Sequence, residues 1–233
     1  MKDDHPSFYG SIDLGRRVTA YAAEHSSALP KNIVDYHASA SSHEGSIMLT
    51  SNFQSQFHTL LAAMVGAKRV LEVGVYLGYS AMVWSNAVGS DGRVTGLEAN
   101  VKYAEMAAEA IAARGLTNVD IIVGPALQSL PKLASMDPYD IVFLDADKAM
   151  NPEYIKYLLA ASQPESVSGR LLRPGALIVA DNALQSGDVV DAGSKGAAID
   201  GVRTYNDYCK GHARLQTVLL PLWDGLSVSR LIN

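Results

Sequence analysis

The 233-residue sequence contains a single cysteine, Cys209, so the chain cannot form an internal disulfide. No Cys/His cluster has the spacing of a zinc site, and we expect a fold without disulfides or structural zinc, in a reducing compartment. No stretch approaches the roughly 18 apolar residues that a membrane span needs, and the first residues lack the apolar segment of a signal peptide. We therefore expect a soluble, cytoplasmic protein with no membrane partner.

An excess of positive charge is also absent. The chain has 19 basic and 24 acidic residues, a net charge of −5, so we expect no nucleic-acid partner, because binding to a phosphate backbone depends on clustered Lys and Arg. Internal repeats and low-complexity stretches are missing as well. With 48% apolar and 18% charged residues, the composition is that of an ordinary globular chain, and we predict one domain over residues 1–233.

The middle of the sequence alternates between strand-like and helix-like segments. Short β-branched runs, each too short for a helix, predict five buried strands: Arg69–Val75, Arg93–Glu98, Val119–Val123, Tyr139–Leu144 and Ala176–Ala180. Segments with helical spacing lie between them: Ser80–Val88, Val101–Arg114 (capped by Asn100 and Gly115), Ala126–Met136 and Pro152–Ala161. Because parallel strands need crossover connections, this alternation predicts an α/β, Rossmann-like fold with helices on both faces of the sheet.

The two ends of the chain differ from the middle. Residues 1–65 predict a cap of short helices on the core of residues 66–233, and the histidines in this cap are interpreted as surface or core side chains. A last helix, Gly201–Lys210, precedes two strands, Leu215–Leu220 and Leu226–Ile232, which the Asp-Gly turn within Pro221–Gly225 joins into an antiparallel pair. The aperiodic segment Asp188–Ala198 is either a plain connector or a mobile lid. A run between Tyr157 and Leu172 is interpreted as a surface insertion.

Ligands of open α/β sheets bind at the carboxyl ends of the strands. After the first strand, Gly74 and Gly78 are spaced G-x-x-x-G and lack the G-x-G-x-x-G pattern of a dinucleotide site. Glu72, just before them, would repel phosphate and attract a cation. Glu98 ends the second strand, where an acidic side chain can accept both ribose hydroxyls. This pattern favours a cationic nucleoside without phosphate.

Two further strands end in oxygen donors. Asp145, Asp147 and Lys148 follow Tyr139–Leu144, and Asp181-Asn182 follow Ala176–Ala180. Carboxylate and amide oxygens suit an octahedral Mg²⁺ that keeps positions open for substrate oxygens. Taken singly, each of these residues is better explained as a turn or cap residue, so the sequence pattern by itself does not establish a metal site.

Six motifs together resemble one known family, the metal-dependent O-methyltransferases of the caffeoyl-CoA and catechol type, which use S-adenosylmethionine (SAM). The motifs are EVGVYLGYSAM, GLEAN, GPALQSLPKL, YDIVFLDADK, LLRPGALIVADN and DGLSVSRLI. The resemblance extends from about Gly45 to the C-terminus. It implies a class I methyltransferase fold, a seven-stranded sheet with an antiparallel C-terminal pair, and a homodimer.

The resemblance also implies roles for individual residues. Asp145, Asp181 and Asn182 match the ligands of the divalent cation, with Mg²⁺ preferred, and Lys148, with Asp145, matches the catalytic position. The SAM site would comprise Met48, Glu72, Gly74, Tyr76, Ser80, Glu98, Ala126 and Asp145, with Glu98 on the ribose and Ala126 near the adenine. Met48 either packs over this site or belongs to the core. Asp147 either supports Lys148 or contacts the acceptor, and Trp223 either lines the acceptor pocket or fills the sheet edge.

The chemistry explains why a base and a metal are needed together. A neutral phenol, with a reference pKa of about 10, is a poor nucleophile until it loses its proton. Chelation of two vicinal oxygens would stabilise the oxyanion, and Lys148 is close enough to Asp145 in sequence to take the proton. We therefore predict methylation of a small catechol, phenylpropanoid or flavonoid-like acceptor.

Other functions stay open at this point. The first 40 residues show no basic cluster for a coenzyme A phosphate tail, which makes a caffeoyl-CoA-type ester the less favoured acceptor. After Lys148, Ala149-Met150-Asn151 replaces the Asn-Tyr that relatives commonly have, which leaves the acceptor uncertain. An NAD-dependent dehydrogenase on a Rossmann-like sheet and a non-catalytic binding module are the alternatives from other functional classes.

Overall fold

The computed structural model describes residues 9–133, 137–165 and 169–233. Its N-terminal part contains three helices, α1 (Ile12–Glu24), α2 (Lys31–Ala40) and α3 (Asn52–Val65), and one 3-10 turn at Ser46–Met48. Ser51 caps α3, because its hydroxyl accepts from Gln54 N at 3.1 Å. The helical character predicted for residues 1–65 is confirmed from residue 9 onward. Residues 1–8 lie outside the described part of the chain.

Strands and helices then alternate as the sequence predicts. The core elements are β1 (Arg69–Val73), α4 (Tyr79–Val88), β2 (Arg93–Glu98), α5 (Val101–Ala112), β3 (Val119–Val123), α6 (Ala126–Ser129), β4 (Tyr139–Leu144), α7 (Asn151–Ala160), β5 (Leu172–Asp181), α8 (Ala197–Gly211), β6 (Leu215–Leu220) and β7 (Leu226–Leu231). Short 3-10 turns lie at Leu130–Leu133, Lys148–Met150 and Gln185–Val190.

The seven strands form one sheet in the order β3-β2-β1-β4-β5-β7-β6. The pairs β3–β2, β2–β1, β1–β4 and β4–β5 are parallel, whereas β7 runs antiparallel to both β5 and β6. The predicted α/β, Rossmann-like architecture with its antiparallel C-terminal strand pair is confirmed. Because β7 lies between β5 and β6, the turn from β6 to β7 reaches the same sheet edge as the end of β5.

Several elements have other bounds than predicted. β1 ends at Val73 rather than Val75, because Gly74 has a φ of 92° and leaves the extended conformation. β5 begins at Leu172, four residues before the predicted Ala176. The pairing of this longer strand with β4 includes a register shift between Tyr139 and Ile141 of β4. Both differences lie at strand termini, where local turns override residue preference.

Several helices also differ. α8 begins at Ala197 rather than at Gly201. The segment predicted as one helix, Ala126–Met136, divides into α6 and a 3-10 turn at Leu130–Leu133, since Pro131 has no N–H to donate. Residues 134–136 lie outside the described chain, as do residues 166–168 of the predicted surface insertion. α5 ends at Ala112 with Ala113 as its C-cap, and Gly115, the predicted cap, follows in left-handed conformation with a φ of 69°.

The core lies on both faces of the sheet. Along β4, Ile141 and Phe143 belong to one apolar cluster and Val142 and Leu144 to the other, which is the alternation expected of a strand covered on both sides. On the first face His58 is fully buried and stacks on Trp84 at a centroid distance of 4.8 Å. Among the described residues, no helix is both long enough and apolar enough to cross a membrane.

One carboxyl group departs from this apolar pattern. Glu72, on the central strand β1, is fully buried. Burial raises the pKa of Glu72 well above its usual value; Ser80 lowers this pKa in part, and the charges of Asp145 and Glu98 raise it further. The charged form of Glu72 is therefore disfavoured in the folded protein.

A stability measurement tests this view of Glu72. A carboxyl whose pKa is higher in the folded than in the unfolded state destabilises the fold progressively as the pH rises above the unfolded value. We expect Glu72→Gln, which cannot ionise, to melt about 2–4 °C higher than the wild type at pH 8 and at the same temperature near pH 4, about the pKa of an unfolded glutamate. Melting curves that run parallel across this pH range would contradict it.

Candidate active site

A cavity of about 900 Å³ opens at the carboxyl ends of the parallel strands. Most of the residues that the sequence singled out line it: Met48, Gly74, Tyr76, Ser80, Glu98, Ala126, Asp145, Lys148 and Asn182. Glu72 and Asp181 do not reach its surface, because both side chains are fully buried at the ends of β1 and β5. The fold thus brings residues from distant parts of the sequence to one place.

Gly74 and Glu98 shape one wall of the cavity. A Cβ atom on Gly74 would lie 2.7 Å from Asp145 O and 2.8 Å from Ala146 N, so only glycine fits between β1 and the segment after β4. Glu98 Oε2 accepts from the backbone N–H groups of Val75 and Tyr76 at 3.0 and 2.8 Å, and Oε1 accepts from Asn100 N at 2.8 Å. A carboxylate offers about four acceptor positions, so Glu98 keeps about one for a ligand, rather than the two that the predicted contact with both ribose hydroxyls would use.

The segment after α2 closes the cavity above this wall. Tyr76 OH donates to Glu44 O at 2.8 Å and lies 2.8 Å from His43 Nδ1. Met48 lines the cavity and is 45% exposed. His43 is therefore a supporting contact of Tyr76, whereas His37 and His58 are buried core residues as predicted.

The ends of β4 and β5 supply the polar centre of the cavity. Leu144 pairs with Ala180 in the sheet, so Asp145 and Asp181 are the next residues on two adjacent strands. Lys148 Nζ lies 2.7 Å from Asp145 Oδ1, and both side chains are 13% exposed. Asp181 Oδ1 accepts from Asn182 N at 2.7 Å. An ammonium group, two carboxylates and an amide thus lie at neighbouring strand ends.

The donor set can be compared with the needs of a divalent cation. Within the part of the chain that the structure describes, no group of three or more His, Cys, Asp or Glu side chains is arranged to hold a metal ion. The predicted set has only two carboxylates, and its third member, Asn182, adds an amide oxygen. Asp145 and Asn182 line the cavity, whereas Asp181 is buried directly before Asn182 at the end of β5. Carboxylate and amide oxygens fit Mg²⁺, which keeps waters and takes few protein ligands.

Sequence reasoning missed Asp224 as a residue of this site. Its Asp-Gly pair predicts only a turn, yet Asp224 lines the cavity and its Oδ2 accepts from Asn182 Nδ2 at 2.8 Å. The topology carries the missing signal, because the turn after β6 must reach the edge where β5 ends. Trp223 does not line the cavity; it packs on Phe53 and Phe57 at centroid distances of 5.4 and 5.6 Å.

The structure also gives the positions of Asp147 and of the segment Asp188–Ala198. Asp147 lines the cavity and its Oδ1 accepts from Ala149 N at 3.0 Å, capping the 3-10 turn that carries Lys148. The segment Asp188–Ala198 is tied to α8, because the Arg203 guanidinium donates to the carbonyl oxygens of Asp188, Val189, Asp191 and Ser194 at 2.5–3.1 Å. Of the loop that precedes it, Ser186 lines the cavity.

Known proteins resemble this chain over most of its length. A catechol O-methyltransferase from Niastella koreensis is 35% identical over 184 residues, which cover 76% of this chain and 79% of the relative. Caffeoyl-CoA O-methyltransferase 1 from Arabidopsis thaliana is 29% identical over 244 aligned positions, covering 98% of this chain and 88% of the relative. The crystal structure of the O-methyltransferase TomG from Streptomyces achromogenes in complex with SAM superposes with a TM-score of 0.78 at 28% identity, covering 93% of this chain and 96% of TomG.

The family model described as O-methyltransferase matches residues 23–232. This match covers the cap from within α1, the complete sheet and every residue of the cavity described above. A dehydrogenase and a binding module without catalytic activity are therefore set aside. The chain belongs to the O-methyltransferase family and is an enzyme that methylates hydroxyl groups.

Proposed function

We propose that the enzyme transfers the methyl group of SAM to one hydroxyl of a vicinal dihydroxy aromatic compound, and that it requires a divalent cation, preferably Mg²⁺. The observation that carries this proposal is the placement of Asp145, Lys148 and Asn182 on one cavity surface, with Asp181 at the end of the adjacent strand. TomG, which is described in complex with SAM, and the catechol O-methyltransferase support the choice of cofactor and acceptor.

The charge of the cavity favours a cationic methyl donor. Its lining contains four carboxylates, Glu98, Asp145, Asp147 and Asp224, and one cationic side chain, Lys148. A sulfonium cation is stabilised by such surroundings, whereas the pyrophosphate of a dinucleotide would be repelled. We place the ribose at the remaining acceptor position of Glu98, the adenine near Ala126, and the methionine part beside Gly74, Tyr76 and Ser80 under Met48. Glu72 supports this wall from inside the sheet.

The oxygen donors at the ends of β4 and β5 would hold the cation. Asp145, Asp181 and Asn182 are its proposed ligands, and they leave coordination positions open for two acceptor oxygens. The bound cation would supply Lewis-acid stabilisation of an ionised acceptor hydroxyl. The chain itself contributes the placement of these donors, because the sheet register sets the positions of Asp145 and Asp181 side by side and Asn182 follows directly.

Lys148 is the proposed general base. Its Nζ lies beside Asp145, where an acceptor hydroxyl next to the ligand set would meet it. The ammonium of Lys148 would first have to give up its proton, which the positive charge of a cation bound beside it would favour; Nζ would then take the hydroxyl proton as the acceptor oxygen attacks the methyl carbon of SAM. The new O–C bond forms as the C–S bond breaks, and the electron pair of that bond stays on sulfur, giving S-adenosylhomocysteine (SAH).

The same charge distribution selects among acceptors. A coenzyme A ester carries several phosphate charges, and no arginine and only one lysine lie among the residues that line the cavity. A small catechol, phenylpropanoid or flavonoid avoids this repulsion.

The homodimer and the cytoplasmic location expected from the sequence stay predictions.

Replacement of Lys148 tests the proton transfer. We expect Lys148→Ala to lower kcat by about 10²–10⁴-fold, since a positioned base contributes about that much, with little change in SAH affinity measured by calorimetry. Lys148→Arg is the matched control, because arginine keeps the positive charge beside Asp145 and does not release its proton. Turnover by Lys148→Arg within about threefold of the wild type would contradict a role as base.

Removal of the cation tests the metal dependence. We expect chelation with EDTA to lower turnover at least about tenfold, and added Mg²⁺ to restore it. Asp181→Asn, which keeps the side-chain acceptor for Asn182 N but loses a charged ligand, should weaken Mn²⁺ binding at least about tenfold and leave SAH affinity nearly unchanged. Full activity in EDTA with SAM and catechol present would show that the enzyme works without a divalent cation.

A further inference from the structure

Asp224 connects two loops at the edge of the cavity through one carboxylate. Its Oδ2 accepts from Asn182 Nδ2 at 2.8 Å, and its Oδ1 accepts from the backbone N–H of Ser186. Asn182 follows β5, Ser186 lies four residues later, and Asp224 belongs to the turn between β6 and β7. All three residues line the cavity.

The hydrogen bond to Asn182 fixes the orientation of its amide. A side-chain amide has an accepting oxygen and a donating NH₂ group of nearly the same shape, so it needs a partner that distinguishes them. A carboxylate only accepts, and Asp224 therefore selects the NH₂ group. With its NH₂ group donated to Asp224, Asn182 has Oδ1 as the amide atom that can bind a ligand in the cavity that Asn182 lines.

The backbone around Asp224 is unusual as well. Asn182, Gln185 and Ser186 have φ values of 56°, 45° and 55°, and Trp223 and Asp224 have values of 54° and 69°. Such left-handed conformations cost free energy in residues other than glycine and persist where surrounding contacts fix them. The two oxygens of Asp224 join these two strained segments.

The position of Asp224 does not depend on its carboxylate alone. Ala183 N donates to Gly225 O at 2.9 Å, and Leu184 N donates to Asp224 O at 3.0 Å. A Cβ atom on Gly225 would lie 2.6 Å from Leu184 N, so the two segments are in close contact. A substitution that changes only the carboxylate therefore leaves the backbone pairing of the two loops in place.

We propose that Asp224 is a positioning residue that presents the amide oxygen of Asn182 to the divalent cation. Asp224 acts through Asn182 and through the loop at Ser186, whose N–H it holds. This inference rests on the proposed function, because it assigns a role toward the cation of that same site. It predicts that loss of the Asp224 carboxylate weakens cation binding selectively.

Binding of Mn²⁺ to the full-length protein, followed by electron paramagnetic resonance, tests this inference without an activity assay. In Asp224→Asn one acceptor is replaced by an NH₂ group, so Asn182 and Ser186 N cannot both be satisfied. We expect the Kd for Mn²⁺ to rise about 10–100-fold, as for other residues that orient metal ligands. SAH affinity and the melting temperature should stay close to those of the wild type.

Asp147→Asn is the matched control. It also removes one carboxylate charge from the cavity, and asparagine can still cap the turn through Ala149 N. We expect its Kd for Mn²⁺ to change less than about threefold, because weak charge effects alone remain. If Asp147→Asn and Asp224→Asn lose Mn²⁺ affinity equally, the loss is explained by the charge of the cavity alone and the inference is overturned. A parallel loss of Mn²⁺ affinity, SAH affinity and melting temperature in Asp224→Asn would also overturn it.

A double-mutant cycle tests the hydrogen bond itself. In N182D/D224N one carboxylate again faces one amide, with donor and acceptor exchanged. The quantity compared is the factor by which Asn182→Asp multiplies the Kd for Mn²⁺. We expect this factor to be at least about tenfold smaller in the Asp224→Asn background than in the wild type. Equal factors in the two backgrounds would overturn the inference. A wild type that binds no Mn²⁺ would overturn the proposed function itself, which this result distinguishes from failure at Asp224.

Discussion

The parallel pairing of β4 with β5 is the constraint on which the site depends. Because Leu144 pairs with Ala180, Asp145 and Asp181 follow at neighbouring positions on the same sheet edge, about 4.8 Å apart by strand spacing. Both strands are buried on two faces, so a slip by one residue would move every side chain of the strand to the opposite face and disrupt the packing on both sides. The core that stabilises the fold thus also fixes the distance between the proposed ligands.

The glycines and the acidic residues of the cavity follow from this arrangement. Gly74 allows the segment after β4 to approach β1 within van der Waals contact, which brings Asp145 toward the wall that Glu98 orders through three backbone N–H groups. The result is a cavity with carboxylates on two sides and a single ammonium group between strand ends. Such a field suits a cationic donor, whereas ionisation of the acceptor hydroxyl would depend on the positive charge of the proposed divalent cation.

Much of the fold could be predicted from the sequence, because buried parallel strands consist of short β-branched runs such as Tyr139–Leu144, which match the structure residue for residue. The limits of elements were less predictable, since Gly74 ends β1 and Pro131 ends α6 through backbone geometry rather than through apolar pattern. The residues at strand ends could be singled out in advance. Asp224 could not, because its contact with Asn182 arises only when β7 inserts between β5 and β6; the roles proposed for all these residues stay predictions.

The central claim is that the acceptor needs two adjacent hydroxyl oxygens, both bound to one cation. A comparison of catechol with resorcinol tests this claim most directly. The two compounds have the same ring and the same number of hydroxyls, but only catechol can place both oxygens on one cation. With SAM and Mg²⁺ we expect initial rates at least about 100-fold higher for catechol, since chelation both ionises and positions the reacting oxygen. Equal rates for the two compounds would contradict the account.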